Sequence, residues 1–374
     1  MTLALQNKGA SDRVLAQQGY ELLLQASFSR PARREPNLGS GHARLEWRIS
    51  VEEIYLNLAE RLGHRSEGLA RIIEYAANPR QARIVMEMNR APGPALTAEQ
   101  LGEKLGLDPT VVQNDLEDLF RKGMAFPRNF GDRREWRAPR SIVQIHDSMQ
   151  SGWAAYPNRY RLFELWKRYD EEERYAILAR ERGKHDRPGV RVIPAWRSVM
   201  NNPNLQPWED WREIFKGMDL ISVVDCPCRL KVGACGRPTN VCIDFGRAAQ
   251  FDIASGHGRQ ISAEEALLIM DEAATAGLIG MVVPNARQVT YMCNCCSDCC
   301  VDIVPLRLYD IPIEKGWAKS RYEARVDQER CSGCQLLSPP TADQQFEVFR
   351  APKECGLDVA ITYHMLDSNE RPSN

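Results

Sequence analysis

The sequence predicts an α+β fold: a mainly helical N-terminal half containing a winged-helix module, then a cysteine-rich half with α/β texture. Three observations carry this. Apolar residues recur at helical spacing from Ile49 through IYLNLAERL and EGLARIIEYA. After Gly189 the strand-like runs VRVIP, LISVVDC and MVVPN alternate with the helical segments PWEDWREIFKGM and SAEEALLIMDEAATAG. All twelve cysteines lie beyond position 225.

Six segments follow in order. Residues 1–48 read as an arm, with a helix around VLAQQGYELLLQ and a linker over 30–45, RPARREPNLGSGHARL, rich in Pro, Gly and Arg. Residues 49–150 form the helical and winged-helix domain. Within it, Thr97 and Gln100 make a capping box, Gly106 makes the turn, and Asp108-Pro109 opens a second helix. Val111, Val112, Leu116, Leu119 and Phe120 form its inner face, and a short hairpin-like stretch follows through Arg137. That is the pattern of a winged helix-turn-helix. Its second helix carries Asp108, Asp115, Glu117 and Asp118 against Arg121 and Lys122, a poor match to phosphates, so a docking or structural role is expected rather than DNA binding.

Residues 151–187 make a charged helical connector whose charge run reads as a solvated face. Residues 188–322 form the cysteine-rich domain, where Ser262 and Glu265 read as a capping box and Gly277 as a stop. A C-terminal module spans 323–363 and a tail 364–374.

The 374-residue chain has a net charge of −1, so no basic field points to nucleic acid or an anionic membrane. It shows no apolar run of transmembrane length, and its first residues are too weakly apolar for a signal peptide, so a cytoplasmic protein is expected. Thiols packed into one half of a long chain favour metal coordination over disulfides.

The thiols fall into three constellations. Cys226, Cys228, Cys235 and Cys242 lie in a loop rich in Gly and Pro and read as a self-contained set of four ligands. Cys293, Cys295, Cys296, Cys299 and Cys300 follow in CNCCSDCC. Neighbours in an extended chain point to opposite sides, so Cys295 and Cys296 should diverge, as should Cys299 and Cys300. Cys331, Cys334 and Cys355 form the third. They follow the frame C-x2-C-x2-C-x3-C-P of a ferredoxin half but depart from it: Leu337 takes the third cysteine's place, an insertion covers 338–351, and Gly356 replaces the proline. Four thiolates suit a zinc ion as well as an iron–sulfur cluster.

Arg229, Arg237 and Arg259 lie near these cysteines in sequence, and His257 reads as structural. Neither a G-x-G-x-x-G after a strand nor a Walker motif is present.

The string CPCR…GRPTNVCIDFG…GHGRQISAEEAL…CNCCSDCC…VDQERCSGC…CGLDVAI resembles a group of prokaryotic 4Fe–4S proteins built as a winged helix, a cysteine-rich central region and a degenerate C-terminal ferredoxin motif. The resemblance covers most of residues 50–362. It implies an iron–sulfur domain with all twelve cysteines as cluster ligands, and a role in electron transfer. Counted as four-thiolate sets, the twelve cysteines would serve two [4Fe–4S] clusters, with a third [4Fe–4S] or a [3Fe–4S] cluster as the alternatives at the C-terminal module. The expected partner is an oxidoreductase catalytic subunit or redox protein in a hetero-complex, without nucleic acid and without membrane insertion. The rival readings are a redox-sensing winged-helix regulator, a reductive activase of a corrinoid or radical enzyme, and a zinc-stabilised scaffold.

Overall fold

In a computed structural model, residues 51–184, 188–203, 205–233, 235–283 and 289–318 are described, together with the strands Tyr322–Val326 and Ile361–Met365. The arm 1–48, Cys331, Cys334 and Cys355 lie outside these residues. The described chain is mixed α and β, as expected.

The first half is helical. Helices α1 (Glu53–Leu62), α2 (Glu67–Ala76) and α3 (Pro79–Glu87) precede α4 (Ala98–Leu105) and α5 (Pro109–Arg121). The local signals act as read. Thr97 and Gln100 cap α4 reciprocally, and Gly106 ends it at φ 66°, a conformation that favours glycine. Asp108 caps α5, with Pro109 in its first turn. Val111 departs from expectation. It sits one position too early for the buried stripe and is 36% exposed, whereas Val112, Leu116, Leu119 and Phe120 are buried.

A two-stranded antiparallel pair follows, β1 (Phe126–Pro127) with β2 (Trp136–Arg137). Then come α6 (Ile142–Ser151) and a long helical run: α7 (Arg159–Tyr169), a π-helical turn (Asp170–Arg174) and α8 (Tyr175–Lys184). Its charges are not all solvated. Asp170 and Arg174 are buried, because the π turn aims them inward against α6.

The second half is a seven-stranded mixed sheet in the order β6-β4-β5-β8-β7-β3-β9. Its strands are β3 (Val190–Val192), β4 (Ile221–Asp225), β5 (Asn240–Phe245), β6 (Gly258–Ile261), β7 (Ile279–Val282), β8 (Tyr291–Cys295) and β9 (Trp317–Ala318). All neighbouring pairs are antiparallel except β3 with β9. Between them lie α9 (Trp196–Val199), α10 (Trp211–Lys216), α11 (Pro227–Val232), α12 (Arg247–Ser255), α13 (Ala263–Thr275) and α14 (Val304–Leu308). Ser262 caps α13 as read, but Glu265 does not return the bond; its carboxylate pairs with Arg259 at 2.6 Å.

Strand alternation gives the sheet two buried faces. On one, Ile221, Val223, Val241, Ile243 and Met292 pack against Trp211 and Phe215 of α10 and Met270 of α13. On the other lie Val224, Cys242, Cys293, Cys295 and Met281. The helical half covers this second face: α11 packs on α6 and α7, and α12 lies over β4, β5 and β6. Phe251 of α12 stacks on Phe126 and meets Phe120 edge-on. Arg247 donates to the carbonyls of Pro127 and Arg128, and His257 Nε2 donates to Arg121 O at 2.7 Å.

A further antiparallel ladder joins β10 (Tyr322–Val326) to β11 (Ile361–Met365). These strands run across the boundaries drawn at 322/323 and 363/364.

Candidate metal centre

The β4–β5 hairpin and the end of β8 build the site. Cys226 follows β4 and precedes the proline that starts α11, so Cys228 sits in the first turn of that helix. Gly233 closes α11 at φ 67° and turns the chain away before Cys235. Cys242 lies on β5 opposite Val224. Cys293 and Cys295 alternate along β8 with buried Asn294, and a helical turn then holds Cys300 N against Cys296 O at 3.2 Å. Because β4, β5 and β8 alternate in direction, the end of β4, the start of β5 and the end of β8 meet at one end of the sheet.

Six thiols there close a ring. Cys226 meets Cys228 and Cys242; Cys242 meets Cys293; Cys293 meets Cys295; Cys295 meets Cys300, and Cys300 returns to Cys228. The Cys295–Cys300 contact is 3.3 Å between sulfurs. Cys226, Cys228, Cys242 and Cys293 share one apolar cluster, and Cys295 and Cys300 pack with Ile303 and Leu306 in another.

Cys235, Cys296 and Cys299 form a separate trio. Their sulfurs all lie within 4.8 Å of one another, the one group this compact among the described residues. Cys296 and Cys299 belong to the opposite face of the sheet, with Val241 and Met292. Cys295 and Cys296 diverge as expected at the end of β8; Cys299 and Cys300 also part, but in the turn that follows rather than along an extended chain. The self-contained set of Cys226, Cys228, Cys235 and Cys242 does not form. Cys235 lies beyond Gly233 and joins the trio, and thiols of β8 and its following turn complete the ring.

Arg229 stands between the two sets. It is buried, donates to Pro238 O and to Asn294 O at 2.8 Å, and reaches the Cys296 thiol. Arg237 approaches the trio while holding Asp298 at 2.7 Å. The Nε of each guanidinium is buried with no oxygen or nitrogen acceptor. Arg259 was expected nearby but takes part in the surface pair with Glu265.

The free thiols are mostly held protonated. Contact with Cys226, and then burial, raises Cys228; contact with Cys293 and Cys300 raises Cys295; contact with Cys228 heads the causes that raise Cys300. Cys293 is lowered by its contacts with Cys242 and Cys295. In the trio, contact with Cys299, and behind it Arg229, brings Cys296 down to about 5. A metal that displaces these protons removes the penalty of burying neighbouring thiolates. Nine sulfurs with two orphaned N–H donors fit a sulfur-held metal group.

No family model, curated protein or solved structure matches this chain.

One set of residues escaped the sequence reading. Lys231, on α11 three residues after Cys228, is fully buried and pairs with Asp170. It also donates to His146 Nε2 at 3.1 Å, which leaves His146 Nδ1–H for Asp147 at 2.7 Å. Arg174 reaches Asp170 at 3.2 Å. Burial, then Arg174 and Lys231, hold His146 well below its ordinary value, so it stays neutral. The one signal in the sequence is the charged run DEEER, and composition alone does not distinguish its buried members, Asp170 and Arg174, from its solvated ones. Among the described residues no helix is long and apolar enough to cross a membrane.

Proposed function

We propose that this chain is an iron–sulfur electron-transfer protein that carries single electrons to or from a partner oxidoreductase. The observation that carries the reading is the closed ring of six thiols, four buried and two half-buried, with a second thiol set on the other face of the same sheet end. A [4Fe–4S] cluster needs four converging thiolates, and Cys226, Cys228, Cys242 and Cys293 lie together in one apolar cluster. The resemblance to prokaryotic 4Fe–4S proteins supports the same reading. Cys226, Cys228, Cys242 and Cys293 are the proposed ligands of one cluster, and Cys235, Cys296 and Cys299 of another.

In this reading α4, α5 and the β1–β2 pair are a winged helix used for docking. Its acidic helix is internally satisfied: Asp115 pairs with Arg80, Glu117 with Arg134 and Asp118 with Lys122. Its far end is occupied by Phe251 of α12 and by His257 in the turn after that helix. The partner is a cytoplasmic redox protein rather than nucleic acid.

The test is iron, acid-labile sulfide and zinc per chain on anaerobically purified protein, with an EPR spectrum after dithionite reduction. About eight irons with equal sulfide are expected for two four-iron clusters. Stoichiometric zinc without sulfide would replace this reading with a structural scaffold.

A further inference from the structure

We infer that Cys235, Cys296 and Cys299 hold their metal group with one coordination position open, and that Arg229 and Arg237 make that position a binding site for a small anionic ligand. The inference rests on the iron–sulfur reading above and gives this second site a role that the ring does not share.

Three observations carry it. The trio supplies three sulfurs, and among the described residues no fourth Cys, His, Asp or Glu joins them within 4.8 Å. The six other described thiols contact one another on the opposite face, and none of them joins the trio within 4.8 Å. A tetrahedral metal or a cubane corner held in this way keeps one position for an outside ligand, as in three-ligand catalytic metal sites.

The second observation concerns charge. Arg229, 2% exposed, is clamped by two backbone carbonyls and turned toward Cys296, with Nε unpartnered. Arg237 also approaches Cys235 and Cys296, and its Nε is likewise buried and unpartnered. Two fixed guanidiniums with unused donors recognise a carboxylate or similar oxyanion.

The third is access. Cys235 is half-buried, and Gly236 and Asp298 beside the trio are exposed. Cys235 therefore gives a solute a route to this group.

The experiment uses the full chain, loaded anaerobically. Iron and sulfide are measured first; their absence defeats the electron-transfer reading and this inference together. On loaded protein, stoichiometric ferricyanide should convert one cluster to a three-iron form visible by EPR, because an iron with no protein ligand is lost on oxidation. C296S should abolish that signal while keeping about half of the iron, and C226S should leave the signal in place. Formate added to dithionite-reduced protein should perturb the EPR signal of this cluster alone, and R237Q should weaken the formate effect about tenfold, equivalent to about 1.4 kcal/mol. With iron and sulfide present, three outcomes overturn the inference. One is that no three-iron signal forms. Another is a signal that appears only once Cys331, Cys334 or Cys355 is replaced by Ser, which would show that a C-terminal thiol closes the position. Failure of formate to perturb the spectrum would remove the anion site.

Discussion

His257 is a single side chain with a measurable pH signature. Burial lowers it to about 4, since its ring is enclosed between Phe251 and the backbone of α5 and donates Nε2–H to Arg121 O. The folded protein therefore keeps it neutral, while the unfolded chain takes up a proton near pH 6.5. Its contribution is fully present above pH 6.5 and is lost as pH falls toward 4. Between pH 7 and 5.5 the wild type should lose about 1 kcal/mol more than H257Q, which keeps a donor but does not titrate. Urea unfolding of both proteins at the two pH values measures this; parallel losses would refute it. The structural role of this residue is legible in SGHGRQ as a loop histidine, although the sequence suggests a helix start after it where the structure has the strand Gly258–Ile261. Its partner was not, because Arg121 lies 136 positions away and offers only a carbonyl, which no side-chain pattern reports.

The π turn Asp170–Arg174 sets the charge balance of the element beneath the ring. Asp170 is one carboxylate between two buried cations, Lys231 and Arg174. D170N leaves both cations without an anion, and should cost about 3–5 kcal/mol. K231M leaves the Asp170–Arg174 pair intact and should cost less than about 2 kcal/mol. Equal costs in denaturant unfolding would show that Asp170 is not the hub. Elements of this kind mark the limit of sequence reading. The capping box of α4, the proline start of α5, and the strands of VRVIP, LISVVDC and MVVPN were readable because each signal is local. The partition of the thiols was half readable. Alternation at the end of β8 separates Cys295 from Cys296, but only the turn at Gly233 sends Cys235 away from Cys226, Cys228 and Cys242. Loop direction after a left-handed glycine depends on what the next residues pack against, which here is the far face of the sheet.

At the scale of the whole molecule, the helical half and the sheet are welded rather than tethered. Arg247 binds β1 and the residue after it, His257 binds the end of α5, and Lys231 reaches α6 and the π turn. The two halves should therefore unfold in one transition. Far-UV circular dichroism and the fluorescence of buried Trp136, Trp166 and Trp211 should give coincident curves; two separated transitions would show independent domains. The sheet also imposes an order of events on biosynthesis. Ring members span positions 226 to 300, and the trio 235 to 299, so neither set is complete until the turn after β8 has left the ribosome. A nascent chain halted before Cys293 presents four thiols from the hairpin and no finished site. A metal held by either set could therefore enter only after position 300 has been made, and delivery machinery acting earlier in translation would meet a partial nest.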